Sequence, residues 1–464
     1  MTRLPNPNIL RLGAGAGYAG DRIPPAVALA EKGQLDYLIF ECLAERTIAL
    51  AQLEKLKNPQ SGFDPLLRAR MKAVLPACLA NGTRIITNMG AANPLQAGRE
   101  VLAVAKELGI DQLKVAVVLG DDVLTLLQAN YLSEPLIDSN QTVADIQPQL
   151  VSANAYLGAE ALLPALQTEA QVIICGRVAD PALFLAPLMH HFEWPADNWP
   201  LLGKGVMVGH LLECAGQITG GYFADPGYKD VPNLAQLGFP LAEVNAQGDA
   251  VITKLADAGG CVTVQTCTEQ LLYEIENPSQ YFQPDVVANF SQVQLLQLGP
   301  DKVQAIGASG SPRTDTLKVT VGYRDGFVGE GQMSYAGPNA KARAQLALNL
   351  VKDRLAEAGL GNFEARYDLI GVNAIFGTTS TSTPHSAAED EPAEVRLRVA
   401  VRVHTQAQAL EVANEVEALY TNGPAGGGGA SKSVREVIAA ASMLIPRTAI
   451  QTQTVLLDNA MGVI

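Results

Sequence analysis

Five short β-branched runs, separated by helical segments and each leading into a polar or glycine-rich turn, constrain this chain more than any other feature. The runs are residues 8–12 (NILRL), 37–40 (YLIF), 84–87 (RIIT), 114–119 (KVAVVL) and 171–174 (QVII). Helical patterns fall at 44–55, 65–80, 97–108 and 153–167. Such alternation predicts parallel βαβ units in an α/β layer architecture. The runs are apolar throughout rather than alternating, as expected of strands covered on both sheet faces. Open α/β sheets and α/β barrels bind ligands at the carboxyl ends of their strands. Here those ends read Gly13 to Arg22, Glu41 to Glu45, Asn88 to Pro94, Gly120-Asp121-Asp122 and Gly176-Arg177-Val-Ala-Asp180. Ordinary βα turns also use Gly, Asn and Asp. Several chemically rich turns on one edge favour a shared site.

From about residue 236 the pattern changes. Strands are expected at 251–254, 261–266, 316–322, 367–375 and 395–403, and helices at 339–356 and 406–419. They no longer alternate strictly, which points to an α+β domain with antiparallel pairing. Residues 377–391 read as a polar surface loop and 422–430 (NGPAGGGGA) as a glycine-rich one. The expected organisation is thus an α/β domain over 1–235 that carries glycine-rich ligand loops, and an α+β domain over 236–464 that closes the site. With 48% hydrophobic and 17% charged residues, the chain can build large cores, and global disorder is excluded.

Gly15-x-Gly17-x-x-Gly20 fits a dinucleotide fingerprint, with Glu41 at the end of the next strand. Pro24 and Pro25 push the following helix to start near Pro24, which weakens that reading. Alternatives are a loop whose backbone N–H groups receive a carboxylate or phosphate, or a structural turn. Glu41 and Glu45 share one side if a helix begins at Cys42, and paired acids can divide acid and base work. Equally, one is a cap and the other a surface acid. Asn88 and Asn93 are candidates to orient a carbonyl. Arg177 suits bidentate recognition of a carboxylate, whereas Asp180 before Pro181 also reads as a helix cap. His210, Glu213, Cys214 and Gln217 have helical spacing, and a histidine, acid and thiol together can move protons or form covalent bonds. A buried cysteine is more often plain core. Gly307 to Arg313 is a small-residue loop with one cation. No histidine or cysteine spacing indicates zinc; Asp21, Asp121 and Asp122 could hold Mg²⁺, but acid-rich turns are too common to decide it, and no cofactor is specified.

Lys and Arg total 33 against 47 Asp and Glu, a formal net charge of −14. Such a surface repels nucleic acid and anionic membranes, so neither is an expected partner. The six cysteines form no C-x-x-C pair, and the first ten residues lack an export signal; both fit reduced thiols in the cytoplasm. A homo-oligomer is the expected assembly.

The segments at 13–22, 88–94, 176–180, 213–226 (ECAGQITGGYFADP) and 422–430 together resemble the acyclic terpene utilisation AtuA family. The similarity spans nearly the whole chain, and 213–226 is its most specific piece. The resemblance implies catabolism of branched acyl-CoA or carboxylic acids, and a small ferredoxin-like partner subunit. It supplies no settled reaction and no catalytic residues. The combined expectation is a lyase of the hydratase or dehydratase type, acting on a small carboxylate or its CoA thioester. The ligand anion would sit on the Gly15, Gly17 and Gly20 loop and Arg177; Glu41 or Glu213 would move the proton, with His210 and Cys214 beside them. An NAD- or FAD-dependent oxidoreductase and a non-catalytic subunit of an acyl-CoA-processing complex are the alternatives.

Overall fold

The computed structural model describes residues 8–137, 139–375, 377, 392–458 and 462–463. The loop expected at 377–391, with His385, lies outside the described residues apart from position 377. The chain divides into two compact units. One takes the residues up to Gly322 and those from Ala440 onward; the other is Tyr323–Ala439.

In the first unit, parallel strands lie at β1 (Ile9–Ala16), β2 (Tyr37–Phe40), β3 (Arg84–Thr87), β4 (Lys114–Leu119) and β6 (Val172–Cys175). They stand side by side as β1-β2-β3-β6-β4. Helices α1 (Pro24–Lys32), α2 (Glu45–Lys57), α3 (Leu67–Asn81), α4 (Pro94–Glu107) and α5 (Leu124–Asn130) follow the first four strands. α6 (Leu163–Leu166) precedes β6, and α7 (Ala182–Phe192) and α8 (Trp199–Leu212) follow it. All four residues of β2 and of β6 are buried. Two expectations fail here. Residues 153–167 are not one helix, because β5 (Leu150–Ala155) occupies their start and only a single α-helical turn, α6, remains. Residues 261–266 are not a strand, because the Thr263 hydroxyl accepts the Thr266 N–H and caps α9 (Val264–Leu272).

The boundary expected at 235/236 also moves. β7 (Pro240–Asn245) pairs antiparallel with β1, and β8 (Ala250–Lys254) pairs with β7. Beyond a small sheet that includes β9 (Tyr281–Phe282) and β10 (Val287–Asn289), β11 (Gln294–Gly299) and β12 (Lys302–Ile306) extend the same large sheet. β13 (Ser309–Ser311) completes the small one. Residues 236–322 therefore belong with the first unit. No local pattern announces that antiparallel strands will flank a parallel centre.

The second unit runs β14 (Thr316–Ala336, entering from the first), α10 (Ala340–Glu357), β15 (Ala365–Ile370), β16 (Glu394–Val403), α11 (Gln406–Glu417) and β17 (Gly428–Pro446). Its sheet order is β15-β16-β14-β17, with antiparallel β14/β16 and β15/β16 pairs. This β-α-β-β-α-β order with a split βαβ is the ferredoxin-like arrangement. Strict alternation buries Val395, Leu397, Val399, Val401 and Val403 of β16 against Val351, Leu355, Val412 and Val416 of the helices. β18 (Gln453–Asp458) returns to the first unit and pairs antiparallel with β4. Among the described residues, no helix is long and apolar enough to cross a membrane.

Candidate functional site

Every candidate residue named from the sequence lies in the first unit. Neighbouring parallel strands deliver Glu41, Asn88, Arg177 and Asp121 to their carboxyl ends. Asn88 accepts the Cys42 N–H on Oδ1 at 2.7 Å and donates Nδ2 to Glu41 Oε1 at 3.0 Å. The Leu43 N–H donates to the same Glu41 oxygen at 2.8 Å. Burial pushes the Glu41 carboxyl up; Arg177, the Leu43 amide and Asn88 oppose that, and the Glu213 charge adds to it. Glu41 is therefore held in place and biased toward keeping its proton.

Arg177 is 2% exposed. Its Nη2 lies 3.0 Å from Asp180 Oδ1, and its guanidinium stacks 4.1 Å over the Tyr156 ring. The Tyr156 hydroxyl in turn donates to Glu45, which also pairs with Lys318 at 3.2 Å. Burial raises Glu45, but the Tyr156 hydroxyl, Arg177 and Lys318 outweigh it and hold the carboxyl down at about 2. Asp180 behaves oppositely. Burial lifts it, Arg177 opposes, and Glu41, Glu213 and Glu45 drive it further up. Asp180 does not cap α7, whose first turn follows Pro181. Its carboxylate is directed to Arg177 instead.

A close helix contact brings the remaining groups in. A Cβ at Gly209 of α8 would lie 2.7 Å from Pro181 Cα, so only a glycine lets α8 approach the chain just after Asp180. Gly209→Val is expected to cost about 1–3 kcal/mol, as overpacking does; urea unfolding measures it. Directly after Gly209, His210 Nδ1 meets Glu213 Oε1 three residues on, at 2.9 Å. In the ring tautomer that donates from Nδ1 to Glu213, Nε2 is left with a lone pair. The His210 ring packs against Tyr281 and Phe290, with centroids 5.5 and 5.9 Å away.

The cluster is left with open valences. Arg177 Nε and Nη1, His210 Nε2 and Glu213 Oε2 are buried atoms with no hydrogen-bond partner. Such orphans are rare in native interiors and call for a partner, whether water or a ligand. Among the described residues, no three His, Cys, Asp or Glu side chains gather closely enough to hold a metal ion. An open groove of about 470 Å³, lined by Phe223, Tyr228, Lys229, Cys261 and Glu269 among others, contains none of the candidates.

Several sequence expectations are corrected. The Gly15–Gly20 turn is not a nest of bare amides: the Gly17 N–H donates to Asp21 at 2.9 Å. Gly15 lies within β1 against the Phe40 ring, Gly17 against the Cys214 backbone, and Gly20 against Tyr18 of its own loop. Fully buried Arg70 fixes that loop by donating to the carbonyls of Tyr18, Ala19 and Asp21. α2 starts at Glu45, so Glu41 and Glu45 do not share a helix face. Asn93 is spent on the Pro59 and Ser61 carbonyls at 2.9 and 2.7 Å. Burial, with Glu213 and Glu41 adding to it, keeps Cys214 a protonated thiol, a poor nucleophile. Arg313 pairs with Glu160. Tyr156, Lys318 and Tyr281 escaped sequence reading; the only local signal for Tyr156 was its place just past a strand that itself went unread.

Asp121 braces the site from behind. Its Oδ2 accepts the Arg177 N–H at 2.8 Å and Asn154 Nδ2 at 2.9 Å. Burial pushes its carboxyl to about 6 from 3.8, against those two hydrogen bonds. Between those values the folded chain keeps a proton that the unfolded chain has lost. The stability from this group is complete below about pH 4 and is lost as pH rises through about 6. Asp121→Asn is expected to remove a decline on the order of 2–3 kcal/mol across that window; urea unfolding at a series of pH values checks it.

No curated protein and no solved structure matches the chain. A family model described as acyclic terpene utilisation family protein AtuA matches residues 10–456. With all of the clustered residues and nearly the whole sequence inside that match, the chain belongs to the AtuA family.

Proposed function

We propose that this chain is a hydro-lyase that adds water to, or removes it from, a branched acyl group carried as a carboxylic acid or its thioester. Family membership ties it to acyclic terpene utilisation, a catabolic setting. Acyclic terpenes are methyl-branched chains, so their breakdown yields branched acyl groups. The supporting observation is the set of orphaned polar atoms on Arg177, His210 and Glu213, gathered with Glu41 and Asp180, whose carboxyls burial pushes up.

In the hydration direction, Arg177 donates to the acyl carbonyl oxygen and stabilises the negative charge that develops there. The His210–Glu213 pair takes a proton from water as its oxygen bonds to the β-carbon. The carbon–carbon π electrons shift toward the carbonyl, and Glu41 delivers its proton to the α-carbon. Dehydration reverses each transfer. This chemistry uses positioned acid, base and oxyanion donor only.

Incubation with 3-methylbut-2-enoyl-CoA tests the proposal, with loss of the conjugated enoyl absorbance as readout. Consumption by the wild type and its loss in Glu41→Gln are expected. No consumption of this or other branched enoyl thioesters removes the proposal.

A further inference from the structure

Two tyrosines border the cluster, and they use their hydroxyls differently. Tyr156 donates to Glu45. The Tyr281 hydroxyl makes no hydrogen bond with any described residue. The Tyr281 ring meets the His210 ring edge-to-face at 5.5 Å and lies 5.7 Å from the Phe290 ring. Such packing asks only for a ring, as Phe290 shows by meeting His210 without a polar atom. The hydroxyl therefore adds nothing to the packing. The charges of Glu213 and Asp180 reach it, which sets it beside the cluster.

The fold holds the ring in that place. Tyr281 lies on β9 opposite Ala288 of β10, and β10 pairs on its other side with β13. Two glycines let this small sheet sit directly on α8, the helix that carries His210. A Cβ at Gly203 of α8 would run into the Ser309 carbonyl oxygen, and one at Gly310 of β13 into that of Trp199. Tyr281 and His210 thus meet from two elements packed backbone against backbone, the kind of support a reacting pair needs.

The unpartnered atoms of the cluster divide by kind. Arg177 Nε and Nη1 donate; Glu213 Oε2 accepts, and so does His210 Nε2 in the tautomer paired with Glu213. A phenol keeps its hydrogen at neutral pH, and burial beside Glu213 and Asp180 holds it more firmly still. Tyr281 is therefore a donor next to an acceptor, His210. A water or hydroxyl oxygen can use both. Its hydrogen goes to Nε2, one lone pair accepts from Tyr281, and the second lone pair is left for carbon.

Resting on the hydration reading above, we infer that Tyr281 is a further catalytic residue, whose hydroxyl donates to the oxygen that joins or leaves the β-carbon. In hydration this hydrogen bond orients the water while His210 Nε2 takes one of its protons and the carbon–oxygen bond forms. In dehydration it holds the departing oxygen as that oxygen takes the proton back from His210. Tyr281 itself neither gains nor loses a proton. Arg177 reads the carbonyl of the acyl group, and Tyr281 reads the oxygen substituent two carbons along.

Tyr281→Phe tests this, because it keeps the ring against His210 and Phe290 and removes the hydroxyl alone. With 3-methylbut-2-enoyl-CoA, kcat is expected to fall about 10²-fold, the order set by one positioned donor. KM is expected to stay within about threefold of wild type, and circular dichroism and urea unfolding to match it. An unchanged kcat, while Glu41→Gln loses turnover, overturns the inference and leaves the acid–base proposal standing. A loss confined to KM overturns it too, since the hydroxyl would then bind substrate and transition state alike. If the wild type consumes no branched enoyl thioester, the proposal and the inference both fall.

Discussion

Arg177→Met is expected to lower unfolding stability by about 1–3 kcal/mol, because water reaches the Asp180 side chain and screens part of the loss, and to abolish ligand binding. Removing the buried partner of a half-buried pair leaves the other side chain without its donor, which costs more than the pair itself contributes. Here the side chain that loses its partner is Asp180, 3.0 Å away. The methionine retains much of the packing over the Tyr156 ring but none of the donors. The double variant Arg177→Met with Asp180→Asn is expected to regain a large part of the lost stability while still binding nothing. Urea unfolding followed by circular dichroism separates the two effects. If the double variant recovers nothing, the stability of Arg177 comes from packing rather than from charge.

Glu213→Gln is expected to lower turnover of a branched enoyl thioester by about 10²–10⁴, the usual contribution of one positioned acid or base. Glutamine keeps an oxygen to accept from His210 Nδ1 across the 2.9 Å contact, so ring orientation should survive. What it loses is the negative charge beside the ring. Stability should change by no more than about 1 kcal/mol, since one neutral hydrogen bond replaces a charged one. Initial rates with matched unfolding curves check this. A rate equal to wild type would make Glu213 a structural cap on the end of α8.

Strands β2, β3 and β4 were legible to the residue, because each is a short continuous apolar run closed by a polar turn. The site was partly legible for the same reason: Glu41, Asn88 and Arg177 stand just beyond strand ends, where side chains of adjacent strands converge. What local pattern could not show was partnership. Asn93 and Asn88 follow the same strand, yet only Asn88 reaches Glu41, while Asn93 ties down a neighbouring loop. The alanine-rich stretch from 153 favours helix by composition, but pairing of β5 with β14 overrides that preference. The threonines at 263 and 266 look β-branched and strand-like, yet they act as a capping pair. Gly17 is glycine for its approach to the Cys214 backbone rather than for an anion, a contact between residues nearly two hundred positions apart.

β18 carries a consequence for how the molecule is made. It pairs with β4 through residues Gln453–Asp458, so the large sheet gains that strand only once residue 453 and those after it have been made. Emerging from a ribosome, β4 must wait with one edge unpaired while more than three hundred residues are added, including all of the inserted ferredoxin-like unit. That unit holds its own core and can fold meanwhile. An uncovered apolar edge during that interval invites pairing with other nascent chains, so cells making this protein at high rate should depend on chaperones that shield β4 until β18 has emerged.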